Sequence, residues 1–133
     1  MASRLIKSLC GGLVLLLITS CYTAERKCTD FKTGTFEFKY TINNIEKLGR
    51  FTRTDSLNID YYDGKIDSSS VRWINDCEFI LKKLHPKSMA DKDAIHMKIL
   101  TTGDDFYTFE YKLAVKKLNR AYHVERGTAK RIE

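Results

Sequence analysis

The chain lacks the motifs that most often announce an enzyme. Ser68-Ser69-Ser70 carries no GxSxG elbow, and there is no Walker-type phosphate loop and no GxGxxG. Motif-borne serine hydrolysis, nucleotide cradling and dinucleotide binding therefore have no support. Histidine is scarce, and the spacing of His85, His96 and His123 fits no metal-ligand set. His96 and His123 fall on the polar side of alternating segments, so surface positions are expected for them. No CxxC or HxxxH accompanies the cysteines, so no metal and no cofactor are expected. Asp60, Asp63, Asp104 and Asp105 lie in or beside turn signals, where Asp serves local hydrogen bonding. There is no internal repeat, no low-complexity tract and only one proline, Pro86. No apolar run reaches the ~20 residues of a permanent membrane helix.

One short apolar run is present, and its setting is informative. Arg4 and Lys7 precede Leu13-Val14-Leu15-Leu16-Leu17-Ile18, and Thr19-Ser20 leads into Cys21. Positive start, apolar core and small residues before a cysteine resemble a bacterial lipoprotein precursor. The resemblance implies a signal peptide at 1–20, lipid attachment at Cys21 and a tether at 21–30. More than one acyl chain would make the anchor durable. An ordinary secretory signal with an incidental cysteine is the alternative. Tyr22 stands where an Asp resembles an inner-membrane retention mark, and Thr23–Lys27 lacks an acidic export cluster. The expected place is the outer membrane, with the domain facing the periplasm.

Losing Arg4 and Lys7 with the signal lowers the net charge from +6 to +4. What remains is a mixed-sign surface on a single domain, 31–133, long enough for one core. Cys10 also leaves with the signal. Cys28 and Cys77 remain as an even pair in an oxidising compartment, and a disulfide is expected. It would close a loop of about 50 residues, for which chain entropy suggests roughly 4 kcal/mol. Two buried thiols or a metal pair are the alternatives.

Most of the remaining chain alternates with period two. Thr35–Tyr40, Leu57–Tyr61, Ile95–Ile99, Tyr107–Leu113 and Tyr122–Glu125 each place apolar residues on one side and polar residues on the other. Asp63-Gly64 is a two-residue hairpin signal. Thr102–Asp105, Asn75-Asp76 and Asn119-Arg120 are further turn candidates, and His85–Asp93 reads as a longer loop. About eight strands follow, near 34–41, 48–54, 56–62, 65–74, 77–84, 94–102, 105–115 and 121–131. The expected class is all-β, an antiparallel meander closed into a small up-and-down barrel or curled into a sandwich. Only Ala114–Arg120 could form a turn or two of helix.

The inward set read from this pattern is Phe36, Phe38, Tyr40, Leu57, Ile59, Tyr61, Trp73, Phe79, Leu81, Tyr107, Phe109, Tyr111 and Val124. Such residues either pack solid or line an apolar pocket. Candidate pocket residues are Phe36, Phe38, Tyr40, Tyr61, Trp73, Phe79, Tyr107, Phe109 and Tyr111. The basic residues Lys32, Lys39, Arg50, Arg53, Arg72, Lys112, Lys116 and Lys117 alternate with apolar ones and are expected on the wet face. No nucleic-acid partner is expected.

Three stretches carry a resemblance: Cys28–Phe36, Arg53-Thr54-Asp55-Ser56-Leu57 and Val71-Arg72-Trp73-Ile74-Asn75-Asp76-Cys77-Glu78-Phe79. They are similar to a family of small Bacteroidetes lipoproteins, some of which bear the name DNA topoisomerase IV. That name implies nucleotide-binding and metal-carboxylate motifs, which these residues do not supply. Gly34-Thr35-Phe36 also resembles the lipocalin start, with Phe where Trp is typical. The function expected is non-catalytic binding of an apolar small molecule or lipid inside the barrel. Alternatives are a structural or envelope-protein interaction module with a packed core and, third, an enzyme.

Overall fold

The computed structural model describes residues 25–133. The expected signal at 1–20, the lipidation site Cys21 and the start of the tether lie outside the described residues. The strands are β1 (Gly34–Ile42), β2 (Ile45–Arg53), β3 (Leu57–Tyr62), β4 (Lys65–Asn75), β5 (Glu78–Lys83), β6 (Ile95–Thr102), β7 (Phe106–Leu113) and β8 (Glu125–Arg131). Each pairs antiparallel with the next, and β8 returns to β1 through Phe36↔Arg131, Glu37↔Lys130 and Phe38↔Ala129. The sheet is therefore a closed barrel of eight strands, with no free edge among them.

Local chemistry explains the turns. Asp63 (φ 49°) and Gly64 (φ 69°) both take the left-handed conformation that a type I′ hairpin needs. Asn43 (φ 52°) and Asn44 (φ 61°) do the same. Asparagine tolerates that region better than most residues. This tight turn was missed in the sequence, so β2 starts at Ile45 rather than near 48. β8 also starts later than expected, at Glu125. Tyr122, His123 and Val124 are exposed in the connection before it, so Val124 is not an inward residue. Ala114–Arg120 forms turns and bends rather than a helix.

The connections divide between two ends. Turns 43–44 and 63–64 and the long connections 84–94 and 114–124 sit at one end. The short turns 54–56, 76–77 and 103–105 sit at the other. That second end is plugged by a 3-10 turn, Cys28–Phe31, whose Cys28 and Phe31 are buried. Arg26 and Lys27 are also bound, Arg26 Nη1 donating to Ile99 O and Lys27 N to Thr102 Oγ1. The folded domain thus begins before residue 31, and part of the expected tether belongs to the barrel.

One strand runs in opposite phase to expectation. The register Phe51↔Asp60 and Arg53↔Asn58 couples β3 to β2. Phe51 must face inward, because it stacks on Phe36 with centroids 5.0 Å apart. Asn58, Asp60 and Tyr62 therefore face the interior, and Leu57, Ile59 and Tyr61 face out. Tyr61 lies under the Arg50 guanidinium on the outer wall, 5.3 Å from its ring centroid. The same wall carries Glu37, Lys39, Lys98 and Lys112 on the faces opposite the inward aromatics, together with exposed Leu48, Ile66 and Ile74. No described helix is long and apolar enough to cross a membrane.

Candidate functional site

The plugged end is packed solid. Phe31, Phe36, Ile99, Tyr107 and Ala129 are each 0–1% exposed, with Phe51 and Cys28 beside them. The rings meet at 5.0–6.3 Å in stacked, tilted and edge-on pairs. Cys28 and Cys77 stand at disulfide distance, 2.10 Å between sulfurs, tying the plug to the β4–β5 turn. Trp73 packs on Phe79 with centroids 4.5 Å apart, under the Lys32 ammonium.

A buried cation holds this end together. Arg53 is 2% exposed, contrary to its expected place on the wet face. Following Phe51 by two residues puts it on the inner face. Its Nη2 donates to Phe31 O (2.7 Å) and Tyr107 Oη (3.0 Å), and its Nε donates to Lys32 O (3.1 Å). Its guanidinium lies 4.7–5.8 Å from the centroids of Phe36, Phe51, Trp73, Phe79 and Tyr107. Ring faces and carbonyls thus replace the water it has lost. Arg131 does similar work, stacking on Phe31 and Phe36 and donating to the Thr33 and Asp30 carbonyls.

Above this floor the barrel is hollow. A cavity of about 520 Å³ lies there, with Ala90, Asp91 and Asp93 of the 84–94 connection in its lining. One wall is apolar: Phe38, Phe51, Leu81, Ile95, Met97 and Phe109, with Tyr40, Tyr107 and Tyr111. Two glycines help keep the space open. Gly49 faces Phe38 across the ladder and Gly127 faces Phe109. A Cβ on Gly49 would come within 2.3 Å of the Phe38 ring, and one on Gly127 within 2.8 Å of the Phe109 ring. Both rings lie flat over their glycines instead of reaching across the lumen.

The facing wall is polar. Asn58 and Ser69 are buried, and Asn58 Nδ2 donates to Asp60 Oδ2 at 3.1 Å. Burial pushes the Asp60 carboxyl up to about 6, against the pull of the Asn58 hydrogen bond and the Arg53 charge. Tyr62 Oη donates to Asp67 Oδ2 at 2.6 Å, and that bond, with some burial, pushes the phenol to about 12. Lys83 Nζ sits between Asp91 (3.1 Å) and Asp67 (3.7 Å). Burial works against its charge, but these two carboxylates outweigh it and raise its pKa. Burial also raises Tyr107 and Tyr111 above the ordinary phenol range.

The expected pocket residues divide accordingly. Phe38, Tyr40, Tyr107, Phe109 and Tyr111 line the cavity. Phe36 and Phe79 are buried at the packed end, with Trp73 against them, and they are not part of the cavity lining. Tyr61 is outside. His96 is half-buried on the outer wall, its Nε2 3.1 Å from Glu78 Oε1. Among the described residues no three His, Cys, Asp or Glu side chains stand together as a metal site.

The sequence reading did not place Arg53, Asn58, Asp60, Ser69 or Lys83 inside: it set Arg53 on the wet face and Asp60 in or beside a turn, whereas Asp60 lies within β3 and faces the cavity. One signal was available. Phe51 marks the inner face of β2, so Arg53 shares it, and the short turn after Arg53 carries Asn58 and Asp60 to the same side. No family model and no curated protein matches the chain.

Proposed function

We propose that the protein is a non-catalytic, lipid-anchored carrier that holds an apolar small molecule inside its barrel. The observation that carries this reading is the cavity of about 520 Å³, with an aromatic wall on one side and a few convergent polar groups on the other. Pockets for small ligands are of this kind and run to roughly 300–1,000 Å³. The plugged floor supports the same reading, since it closes the barrel beneath the cavity.

The anchor rests on the order of residues from Arg4 to Cys21. The resemblance to small Bacteroidetes lipoproteins agrees with it, as does a Cys28–Cys77 pair suited to an oxidising compartment. The proposed address is the outer membrane, facing the periplasm. Fatty-acid labelling of the chain should disappear in Cys21→Ala; persistent labelling would remove the anchor from this reading.

Native mass spectrometry of the chain released from membranes tests the carrier role. A stoichiometric extra mass that leaves on denaturation supports it. A second reading, docking to an envelope protein, draws on Ile45 at the start of β2 and on Met89, Val115 and Leu118 in the long connections, all of them exposed. A ligand-free mass together with one crosslinked envelope partner would favour that reading instead.

A further inference from the structure

The charged groups of the cavity are unequal in one respect. Arg53 is spent on the plug carbonyls and Tyr107. Lys83 is shared by Asp67 and Asp91, and Asp93 is 2.7 Å from Lys117 Nζ. Asp60 lines the lumen within reach of the Arg53 and Lys83 charges but is paired with neither. Among the described residues its one side-chain hydrogen-bond partner is the Asn58 amide, and it forms no ion pair. A carboxylate can accept about four hydrogen bonds, and a buried one that lacks them is costly. Asp60 sits directly across the ladder from Phe51, and Tyr62, two residues on, shares its face. Aromatic faces attract cations, so rings and carboxylate favour the same ligand charge.

We infer that the cavity takes an apolar, ring-sized ligand bearing one cationic amine, with the amine on the Asp60 carboxylate and the body against Phe38, Phe51 and Phe109. This rests on the carrier reading and names its ligand class. Of the cations that line the cavity, Lys39 pairs with Glu46, Lys83 with Asp67 and Asp91, and Arg126 with Glu110, which leaves Arg53 as the rival anchor for an anionic head group. An anion there would have to compete with Tyr107 and the plug carbonyls while facing Asp60.

Three fluorescent probes of nearly one shape separate the possibilities. They are dansylcadaverine (cationic), N-pentyl dansylamide (neutral) and dansyl-6-aminohexanoic acid (anionic). The full chain in lipid nanodiscs is titrated with each, with empty discs as the blank. The cationic probe should bind about tenfold tighter than the neutral one, a difference of about 1.4 kcal/mol. Asp60→Asn should erase that preference, and its circular dichroism and thermal midpoint report that the variant is folded. Should Asp60→Asn fail to fold, the comparison of probes on the unaltered chain decides alone. Equal binding of all three probes would overturn the amine and keep the cavity. Tightest binding of the anion would overturn it in favour of Arg53. A cationic preference that survives in folded Asp60→Asn would remove Asp60 from the site. If a folded chain binds none of the three, the carrier reading fails as well.

Discussion

The two ends of the barrel follow the same alternation and fill differently. At the plugged end Phe36 faces Phe51, and a 3-10 turn brings Phe31 in from outside the sheet. Halfway up, Phe38 faces Gly49 and Phe109 faces Gly127. Ring opposite ring, with a third ring supplied, makes a solid core. Ring opposite glycine lets the ring fold down and leaves space. In these pairs the fate of the inward aromatic follows its cross-strand partner, a property of register and not of the strand's own sequence.

The widest test of this contrast is one substitution at each end. Phe36→Ala should cost about 4 kcal/mol, because the packed end cannot collapse around the void. Phe109→Ala should cost about 1 kcal/mol, since its ring already borders open space and yields less buried area. Urea titrations of the two variants decide. Equal losses would mean that the upper half is as tightly packed as the floor.

Removing the disulfide should come next, at about 3 kcal/mol for Cys28→Ser with Cys77→Ser. The loss should be local in its symptoms. Amide exchange should rise around 28–32 and the β4–β5 turn, while β1 near Tyr40 keeps its protection. Uniform acceleration along the chain would show that the plug is not a separate element of stability.

The polar wall sets up a third difference. A raised Asp60 pKa means that the folded state binds its proton more tightly than the unfolded chain does. Its contribution is therefore most favourable below about pH 4 and is lost as pH rises from about 4 to about 6. The loss is on the order of 3 kcal/mol. Asn58 and Arg53 oppose the rise, Asp67 adds to it, and Lys83 opposes it again. Glu78 and Asp91 have lowered pKa values, through Asn75 and Lys87 first, and run the other way. Comparing Asp60→Asn with the unaltered chain isolates the carboxyl. The variant should gain relative stability between pH 4 and pH 8. A difference independent of pH would mean that Asp60 is solvated.

This also marks where the sequence stopped being legible. Strand order, the Asp63-Gly64 hairpin, the Cys28–Cys77 pair and the inward faces of β1 and β7 follow from period, turn chemistry and cysteine arithmetic. The phase of β3 does not. Leu57, Ile59 and Tyr61 look like an inner face, yet Phe51 on the neighbouring strand overrules them and turns Asn58 and Asp60 inward. Hydrophobic patterning assumes a dry interior, and a hollow barrel with a polar wall breaks that assumption locally. A carboxylate that costs stability in such a place is a common mark of a functional site.

The smallest expected change in stability is the sharpest test of the contrast between floor and cavity. Gly49→Ala replaces the most flexible strand residue with one that loses less freedom on folding, a gain of about 0.5–1 kcal/mol. Against it, the new methyl meets the Phe38 ring, which must lift off the wall. The two effects should leave stability within about 1 kcal/mol of its starting value. The lifted ring has only the cavity to enter, so the neutral dansyl probe should bind about tenfold more weakly. Phe38→Leu in the same chain shortens the displaced side chain and should restore most of the affinity. Unchanged affinity in Gly49→Ala would show that the glycine leaves the ring free elsewhere, and that ring-on-glycine pairing does not hold the barrel open.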